Sequence, residues 1–570
     1  MSETSILLLD PPFFSFLDET QKGLPLGLAY LAGTLKANGY NNVKILDADI
    51  GLSSAHRESG KNRNAEVEAF EQFESRVGNI NDIAYQNVID VIREEQPQIL
   101  GISIRTAKFF ISKQLVHRIK TEFPDITIVA GGPHTSSRPE DILERMAVDI
   151  VVRGEGEIAF LELVKALDNG LDYTDIMSLS YLKDGKVINN PMRPYVDNID
   201  EIPLPERSCV IRSELMTPDD FGLLFSSRGC PYGCSFCDSR GTWTRKVRRM
   251  SHELLVQDIL DIKEKYGTSF FSFQDDCLVT KESVAIDMCD TFKKAGLADL
   301  PRSEFRWWCE IHPNVITEKL VQNLKEAGCV AIAIGAESGS QRSLKQVTKG
   351  STLDSIKRAA DIIRNADISL TMFFIIGFPW ETQEDILETI DFMEEVQPDN
   401  PALSVLTPLP GTPIFDYCQE HNLISPDNDY RAHFHQRADS FYNLKIPQQD
   451  AAGLIKTGFQ RCADVMAHRK QQLLIDFFQN HLKTKLSEHY NFSIAIPEFS
   501  EHSDTRSVDG SAPRHLLIDQ DWENQSIQLE IMNRDANIDD LDETAKAFIT
   551  NAFLDKFPEY EHVNVCIRSS

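Results

Sequence analysis

Three cysteines crowd into eight positions of the stretch Ser226-Ser227-Arg228-Gly229-Cys230-Pro231-Tyr232-Gly233-Cys234-Ser235-Phe236-Cys237, at the spacing Cys-x3-Cys-x2-Cys. Thiols packed so closely, in a chain otherwise sparse in cysteine, point to a metal group rather than to disulfides. Thiolates are the usual ligands of iron–sulfur clusters, and a cubane of four irons held by three cysteines keeps one iron open for a further ligand. A zinc site would need a fourth ligand, and His252 is the nearest local candidate. Buried free thiols are the other plain reading. Carboxylates and small residues recur downstream in Phe273-Gln274-Asp275-Asp276, in Gly335-Ala336-Glu337-Ser338-Gly339-Ser340, and in the apolar Phe374-Ile375-Ile376-Gly377-Phe378-Pro379-Trp380. Adjacent carboxylates accept from a cationic donor, a glutamate accepts from hydroxyls, and small residues let a ligand approach the backbone. Each also has a local reading, as a helix cap, a helix-start charge or a core strand.

The elements that must position these groups follow a strand–helix alternation. From Gly222 the strands fall near Leu223–Ser226, Ser269–Gln274, Arg306–Glu310, Val330–Gly335, Ser369–Ile376 and Ala402–Leu406. Six βα units in succession predict an open or partial (β/α)6 barrel, with its reactive groups at the C-terminal strand ends. All the motifs above lie at such ends. Upstream, Ile6–Leu9, Val43–Asp47, Ile99–Ser103, Thr127–Ala130 and Ile150–Val152 alternate with helical stretches such as Leu24–Asn38, which predicts a parallel sheet. Ser178–Leu182 and Val187–Asn189 flank Lys183-Asp184-Gly185 as a hairpin. Ser53–Val67 reads as a surface insertion. The organisation predicted is therefore an α/β domain over 1–195, a proline-spaced linker over 196–220, a barrel over 221–430, and a mostly helical or α+β extension over 431–570. In that extension helices occupy roughly Gln448–Leu486, Ser500–Pro513 is a flexible polar stretch and Ser526–Ser570 is a small α+β unit.

The cysteine spacing, with aromatic Phe236 before the third cysteine, resembles the radical S-adenosylmethionine (SAM) superfamily. The resemblance implies a [4Fe–4S] cluster on Cys230, Cys234 and Cys237, with SAM chelating the open iron and cleaved there to a 5′-deoxyadenosyl radical. It also implies SAM contacts from Phe236, Asp275, Asp276, Glu337, Ser338, Ile375 and Gly377. Trp380 departs from the glycine usual at its place in the family.

The front domain carries no G-x-G-x-x-G after its first strand. It has instead Pro25-Leu26-Gly27 opening the first helix, Ser103 and Arg105 at the end of the third strand, Gly131-Gly132 after the fourth, and Gly154-Glu155-Gly156-Glu157 after the fifth. This set is similar to the Rossmann-like (flavodoxin-like) cobalamin-binding domain of the B12-dependent radical SAM enzymes. It implies cobalamin contacts from Pro25, Ser103, Arg105, Gly131, Gly132 and Gly154, the glycines leaving room for a bulky ligand. No histidine follows the first strand in Asp10-Pro11-Pro12-Phe13-Phe14, so the resemblance implies a cobalt without a histidine on its lower face. An empty flavodoxin-like domain is the alternative.

Composition limits the rest. The 570 residues carry 58 basic and 87 acidic side chains, a net charge of −29, which argues against a broad phosphate-binding face and nucleic acid. No apolar run is long enough to span a membrane, no signal peptide is visible, and a reducing cytoplasm is expected. The combined resemblance implies methyl transfer from SAM through methylcobalamin to an unactivated carbon, or phosphorus, of a small-molecule or peptide substrate. A flavodoxin- or ferredoxin-type donor would supply electrons. The alternatives are a cyclisation or oxidative ring closure on the same cofactors and, outside catalysis, a zinc-stabilised binding protein.

Overall fold

Near-continuous apolar runs make the strands of the front domain: Ile6, Leu7, Leu8 and Leu9 are all at most 1% exposed, as a strand covered by helices on both faces must be. In this computed structural model, which describes residues 3–17, 23–50, 73–431, 433, 441–477, 516–521, 526–533 and 562–569, those runs form β1 (Ile6–Asp10), β2 (Val43–Asp47), β3 (Ile99–Ser103), β4 (Thr127–Gly131) and β5 (Ile150–Val152). They lie in the order β2-β1-β3-β4-β5 and pair in parallel. Alternate residues feed two cores. Leu7, Leu9, Leu100 and Ile102 pack with Ile89 and Val116 on one face, and Ile6, Leu8, Ile45 and Ile99 pack with Ala29 and Val164 on the other. The hairpin appears as antiparallel β6 (Leu179–Lys183) and β7 (Lys186–Asn189), turning through Asp184 and Gly185 at positive φ. The strand order reverses beside β1, so ligands are expected at the carboxyl ends there.

The six later strands form one parallel arc in chain order: β8 (Leu223–Leu224), β11 (Phe270–Phe273), β12 (Arg306–Glu310), β13 (Cys329–Glu337), β14 (Ser369–Ile376) and β15 (Asn400–Val405). Phe271, Trp307, Leu370, Met372 and Phe374 face the surrounding helices and meet Ile259, Phe292, Leu324 and Ile363. The alternate residues, Trp308, Glu310, Phe373 and Ile375 among them, are half-buried on the inner side of the arc. Two features depart from the strands expected. β13 runs on through Glu337 by a register shift after Gly335, and Glu337 takes φ +63°. The first strand is only two residues long, and after it β9 (Ser227–Arg228) pairs antiparallel with β10 (Arg248–Arg249).

The linker lies on the first helix, Leu26–Ala37: Glu206 N donates to the Ala29 carbonyl at 2.9 Å, and a side chain at Gly33 would strike the Leu204 carbonyl. Front domain, linker and barrel belong to one compact unit that reaches Met466. The helix Gln448–Asp476 begins in that unit, where Ala451, Ile455 and Cys462 complete the barrel core. The second unit holds a three-stranded sheet, β16 (Leu516–Asp521), β17 (Ser526–Asn533) and β18 (His562–Ser569). The insertion read at Ser53–Val67 and the stretch Ser500–Pro513 lie outside the described residues, as do the last residues of the helical stretch read to Leu486 and parts of the unit read at Ser526–Ser570. No helix among the described residues is long and apolar enough to cross a membrane.

Candidate active site

The cysteine loop leaves the β9 strand end and is clamped from two sides. Ser235 N donates to the Val347 carbonyl at 2.9 Å, Ile414 N to the Ser235 carbonyl at 3.1 Å, and Thr348 Oγ1 to the Gly233 carbonyl at 2.7 Å. Phe236 turns into an apolar cluster with Val347, Phe378, Leu406 and Ile414. These contacts hold the loop in place, and Cys230, Cys234 and Cys237 stand on it half-buried and without disulfides. Burial raises the Cys234 and Cys237 thiols to about 11 and 12, whereas a hydrogen bond from Cys277 holds Cys230 below its ordinary value. Among the described residues no three His, Cys, Asp or Glu side chains are gathered tightly enough to hold a single metal ion. His252 is engaged elsewhere, 3.1 Å from Asp287. The three thiols share one loop, and the local histidine that could have completed a four-ligand set is turned away from them.

The residues expected around SAM divide into two sets. Asp275 is saturated: it accepts from Ser226 N at 3.1 Å, Ser226 Oγ at 2.8 Å and Ser227 Oγ at 2.5 Å, and is 4% exposed. It ties β11 to the start of the cysteine loop. Ser338 is equally enclosed, hydrogen-bonded to Thr389 at 3.0 Å. Asp276, by contrast, stays accessible in a recess that raises its carboxyl to about 6, with Asp238 and Asp275 nearby adding to the effect. Ile375 is half-buried on the inner wall. Gly377 takes φ +88° under a buried carboxylate, Glu381, which accepts from Gly377 N at 2.8 Å and Phe378 N at 3.0 Å. Trp380 is accommodated by stacking on Phe378 at 5.4 Å and donating to Ser343 Oγ at 3.1 Å.

Sequence reasoning missed Lys349. It is buried, donates to Glu337 and, at 2.8 Å, to the Gly335 carbonyl, and lies within electrostatic reach of Cys234 and Glu310. A side chain at Gly335 would strike both Lys349 and Glu337. The Glu337–Lys349 pair thus occupies the β13 bulge. Glu310, on the inner face of β12, is raised to about 7, mainly by burial, with Lys349 opposing and Glu337 and Asp276 reinforcing the shift. No local pattern marks Lys349. Only the fold brings it to the cysteines.

In the front domain, Ser103 pairs with Gly131 at the ends of β3 and β4, and a side chain built on Gly131 meets nothing nearer than the Val152 carbonyl at 3.9 Å. That opening suits a bulky ligand. Gly132 has a different reason for being glycine: its φ is +105°, and a side chain would lie 2.9 Å from the Ile104 carbonyl. Gly154 N donates to Ser136 Oγ at 2.9 Å, and a side chain at Gly154 would strike Met192. Pro25 is half-buried at the start of the first helix. Arg105 is exposed at the β3 end and lies in electrostatic reach of Asp238, the residue after Cys237. His134 is buried, held neutral with its value lowered to about 3 mainly by burial, and hydrogen-bonded to Thr106 at 3.1 Å, as a packed histidine. The short helix after Gly132, Pro133–Ser137, packs against Ser239–Thr242, the turn that follows Cys237, so the carboxyl end of the front-domain sheet and the cysteine loop meet at one seam.

The family description "Radical SAM superfamily" matches residues 224–393, and "B12 binding domain" matches residues 20–164. The chain is 31% identical over 428 residues to "Uncharacterized methyltransferase PH0819" of Pyrococcus horikoshii, covering 74% of this chain and 85% of the relative. It is 26% identical over 476 residues to the cytidylyl-2-hydroxyethylphosphonate methyltransferase of Streptomyces wedmorensis, covering 76% and 85%. It is 28% identical over 400 residues to the anaerobic magnesium-protoporphyrin IX monomethyl ester cyclase of Rubrivivax gelatinosus, covering 69% and 65%. The structure of the radical SAM methyltransferase TsrM from Kitasatospora setae, with cobalamin and a [4Fe–4S] cluster bound, shares the fold: its TM-score is 0.62 at 17% identity, covering 80% of this chain and 91% of that one.

Proposed function

The chain belongs to the cobalamin-dependent radical SAM enzymes, and from that premise we propose that it is a methyltransferase acting on an unactivated carbon, or phosphorus, of a small molecule or peptide. When bound, a reduced four-iron cluster supplies radical cleavage of SAM, and a corrinoid supplies relay of a methyl group taken from a second SAM. The observation that carries the reading is the shared seam: the open sheet edge at Ser103 and Gly131 and the loop of Cys230, Cys234 and Cys237 belong to one compact unit. Two reactive centres need such a fixed common cavity to act on one substrate atom.

The chain's own groups take the following roles in this reading. Cys230, Cys234 and Cys237 would hold the cluster. Asp276 accepts from the SAM ammonium, Ile375 and the turn at Gly377 wall the adenine, and the buried Glu337–Lys349 pair offers a carboxylate to the ribose hydroxyls and a cation to the SAM carboxylate. Gly131 leaves space for the corrinoid, and Arg105 stands at the seam. Asp275 and Ser338 position the strand ends from behind. A flavodoxin- or ferredoxin-type protein supplies electrons.

The test is anaerobic purification from cells given cobalamin, followed by metal analysis and product analysis with SAM. About four irons and one cobalt per chain are expected. S-adenosylhomocysteine alongside 5′-deoxyadenosine supports methyl transfer. 5′-Deoxyadenosine without S-adenosylhomocysteine would assign the chain instead to ring-forming chemistry, the activity named for its cyclase relative. Zinc alone would overturn the enzyme reading.

A further inference from the structure

Glu155 and Glu157 open the helix Gly156–Asp168, where carboxylates ordinarily do no more than complement the helix dipole. Here both reach across to the barrel. Glu155 Oε1 accepts from Arg228 Nη1 at 2.9 Å and from Arg248 Nη1 at 2.8 Å, and its Oε2 accepts from Val196 N at 3.1 Å. Glu157 Oε1 accepts from Arg228 Nη2 at 2.6 Å. All four side chains are buried, none more than 9% exposed. Arg228 lies over the Tyr30 ring at 4.9 Å, and Arg248 over Tyr195 at 5.0 Å.

The arrangement is specific. Arg228 and Arg248 stand directly opposite each other in the β9–β10 ladder, where two like charges repel. Glu155 lies between them, and together with Glu157 it balances their two charges. The ladder in turn sets the cysteine loop, because Arg228 is followed by Gly229, at φ +96° and where a side chain would strike the Thr244 and Lys246 carbonyls, and then by Cys230, whose N–H donates to the Thr244 carbonyl at 3.3 Å. On its other side Glu155 follows Gly154, at the C-terminal edge of the front-domain sheet.

We propose that Glu155 is a positioning residue: by bridging Arg228 and Arg248 it fixes the cysteine loop against the edge of the front-domain sheet, and so sets the separation of the two cofactor sites. The proposal rests on the two-cofactor premise of the methyl-transfer reading for its purpose, since only a reaction shared between two cofactors needs that separation held. A misplacement of about 1 Å at a reacting centre can cost ~10²-fold in rate.

The experiment compares full-length wild type, Glu155→Gln and Glu155→Gln/Arg248→Gln, each reconstituted anaerobically with iron, sulfide and hydroxocobalamin and then reduced. Pulsed electron paramagnetic resonance reads the separation of cob(II)alamin and the reduced cluster; iron and cobalt contents are measured in parallel. Wild type should give one narrow distribution. Glu155→Gln should load both cofactors to within about twofold of wild type, yet broaden the distribution by about 1 Å or more, the scale of misplacement at stake. The double variant removes the repelling charge with its partner and should narrow the distribution again, which a general loss of structure would not do. An unchanged distribution in Glu155→Gln overturns the proposal, and so does a double variant no narrower than the single one. Should Glu155→Gln fail to fold, a folded double variant with a narrow distribution supports the lock, and an unfolded one overturns it. A wild type that takes up iron but no cobalt overturns the methyl-transfer reading instead. The lock is then read from the resonance line shape of the SAM-bound cluster, which should change in Glu155→Gln and return in the double variant.

Discussion

The ring of Tyr232, in the middle of the cysteine loop, lies 3.7 Å from the imidazole of His312, with the two planes 8° apart. His312 Nδ1 accepts from Asn314 N at 3.2 Å, which places the ring proton on Nε2, 3.2 Å from the Lys349 carbonyl. Burial, with the Lys349 charge adding, lowers His312 to about 4, so the ring is neutral at physiological pH. One imidazole therefore supports the loop from below and fixes the backbone of the buried lysine. His312→Phe should keep the stack, and with it near-wild-type iron content, while His312→Ala should lose iron after desalting. Stacked pairs contribute about 1 kcal/mol beyond burial, so a several-fold loss in cluster retention is expected for the alanine variant. Iron analysis of both reconstituted variants checks it.

The Lys349–Glu337 pair makes a sharper stability prediction. Both side chains are less than 10% exposed, and removing one partner of a buried pair leaves an uncompensated charge at a cost of about 3–5 kcal/mol. Lys349→Met should be destabilised by that order in urea unfolding of the cofactor-free protein. Lys349→Met/Glu337→Gln should recover a large part of the loss without regaining SAM binding. Separate recovery of the two properties would show that the pair serves the ligand and not the fold alone.

The two adjacent glycines of the front domain separate in the same way. Gly131→Ala makes only an ordinary contact with the Val152 carbonyl and should fold as wild type, whereas Gly132→Ala adds positive-φ strain and a contact with the Ile104 backbone, costing about 2 kcal/mol or more. Gly131→Trp should lower cobalamin content while leaving iron unchanged. Cobalt-to-iron ratios of the two substitutions at position 131 measure this directly.

Most of the scaffold was legible because its signals are local. The apolar runs at Ile6–Leu9 and Ser369–Ile376 have the length and punctuation of buried parallel strands, and the cysteine spacing is a pattern of contiguous residues. The β9–β10 ladder was not legible: each strand is two residues long and carries arginines, with no apolar signature, and its charge partners sit some seventy to ninety positions away in the front domain. Lys349 escaped for the same reason. Asp275 and Asp276 are neighbours in sequence and read as one acceptor pair, but just past the strand end the first turns into the serines of the cysteine loop and the second stays exposed. Gly132 was legible as a required glycine, and the Ile104 backbone against it is a reason that its sequence neighbours do not show.

Glu381 provides a pH-dependent prediction whose sign follows from its surroundings. Its carboxyl is fully buried beneath the turn at Gly377, and desolvation raises it to about 7 despite the N–H groups of Gly377 and Phe378 and the Ser343 hydroxyl, which favour the charged form. A carboxyl whose folded value lies above its unfolded value stabilises the fold fully at pH below about 4.5, and that contribution is lost as pH rises through about 7. The full change is on the order of 3 kcal/mol. Glu381→Gln cannot ionise, so it should lack this dependence while retaining one oxygen to accept from the turn. The difference in thermal midpoint, variant minus wild type, should therefore grow more positive between pH 5 and pH 8. A difference that stays flat over that range would mean that Glu381 is already ionised at pH 5, with the three donors outweighing burial.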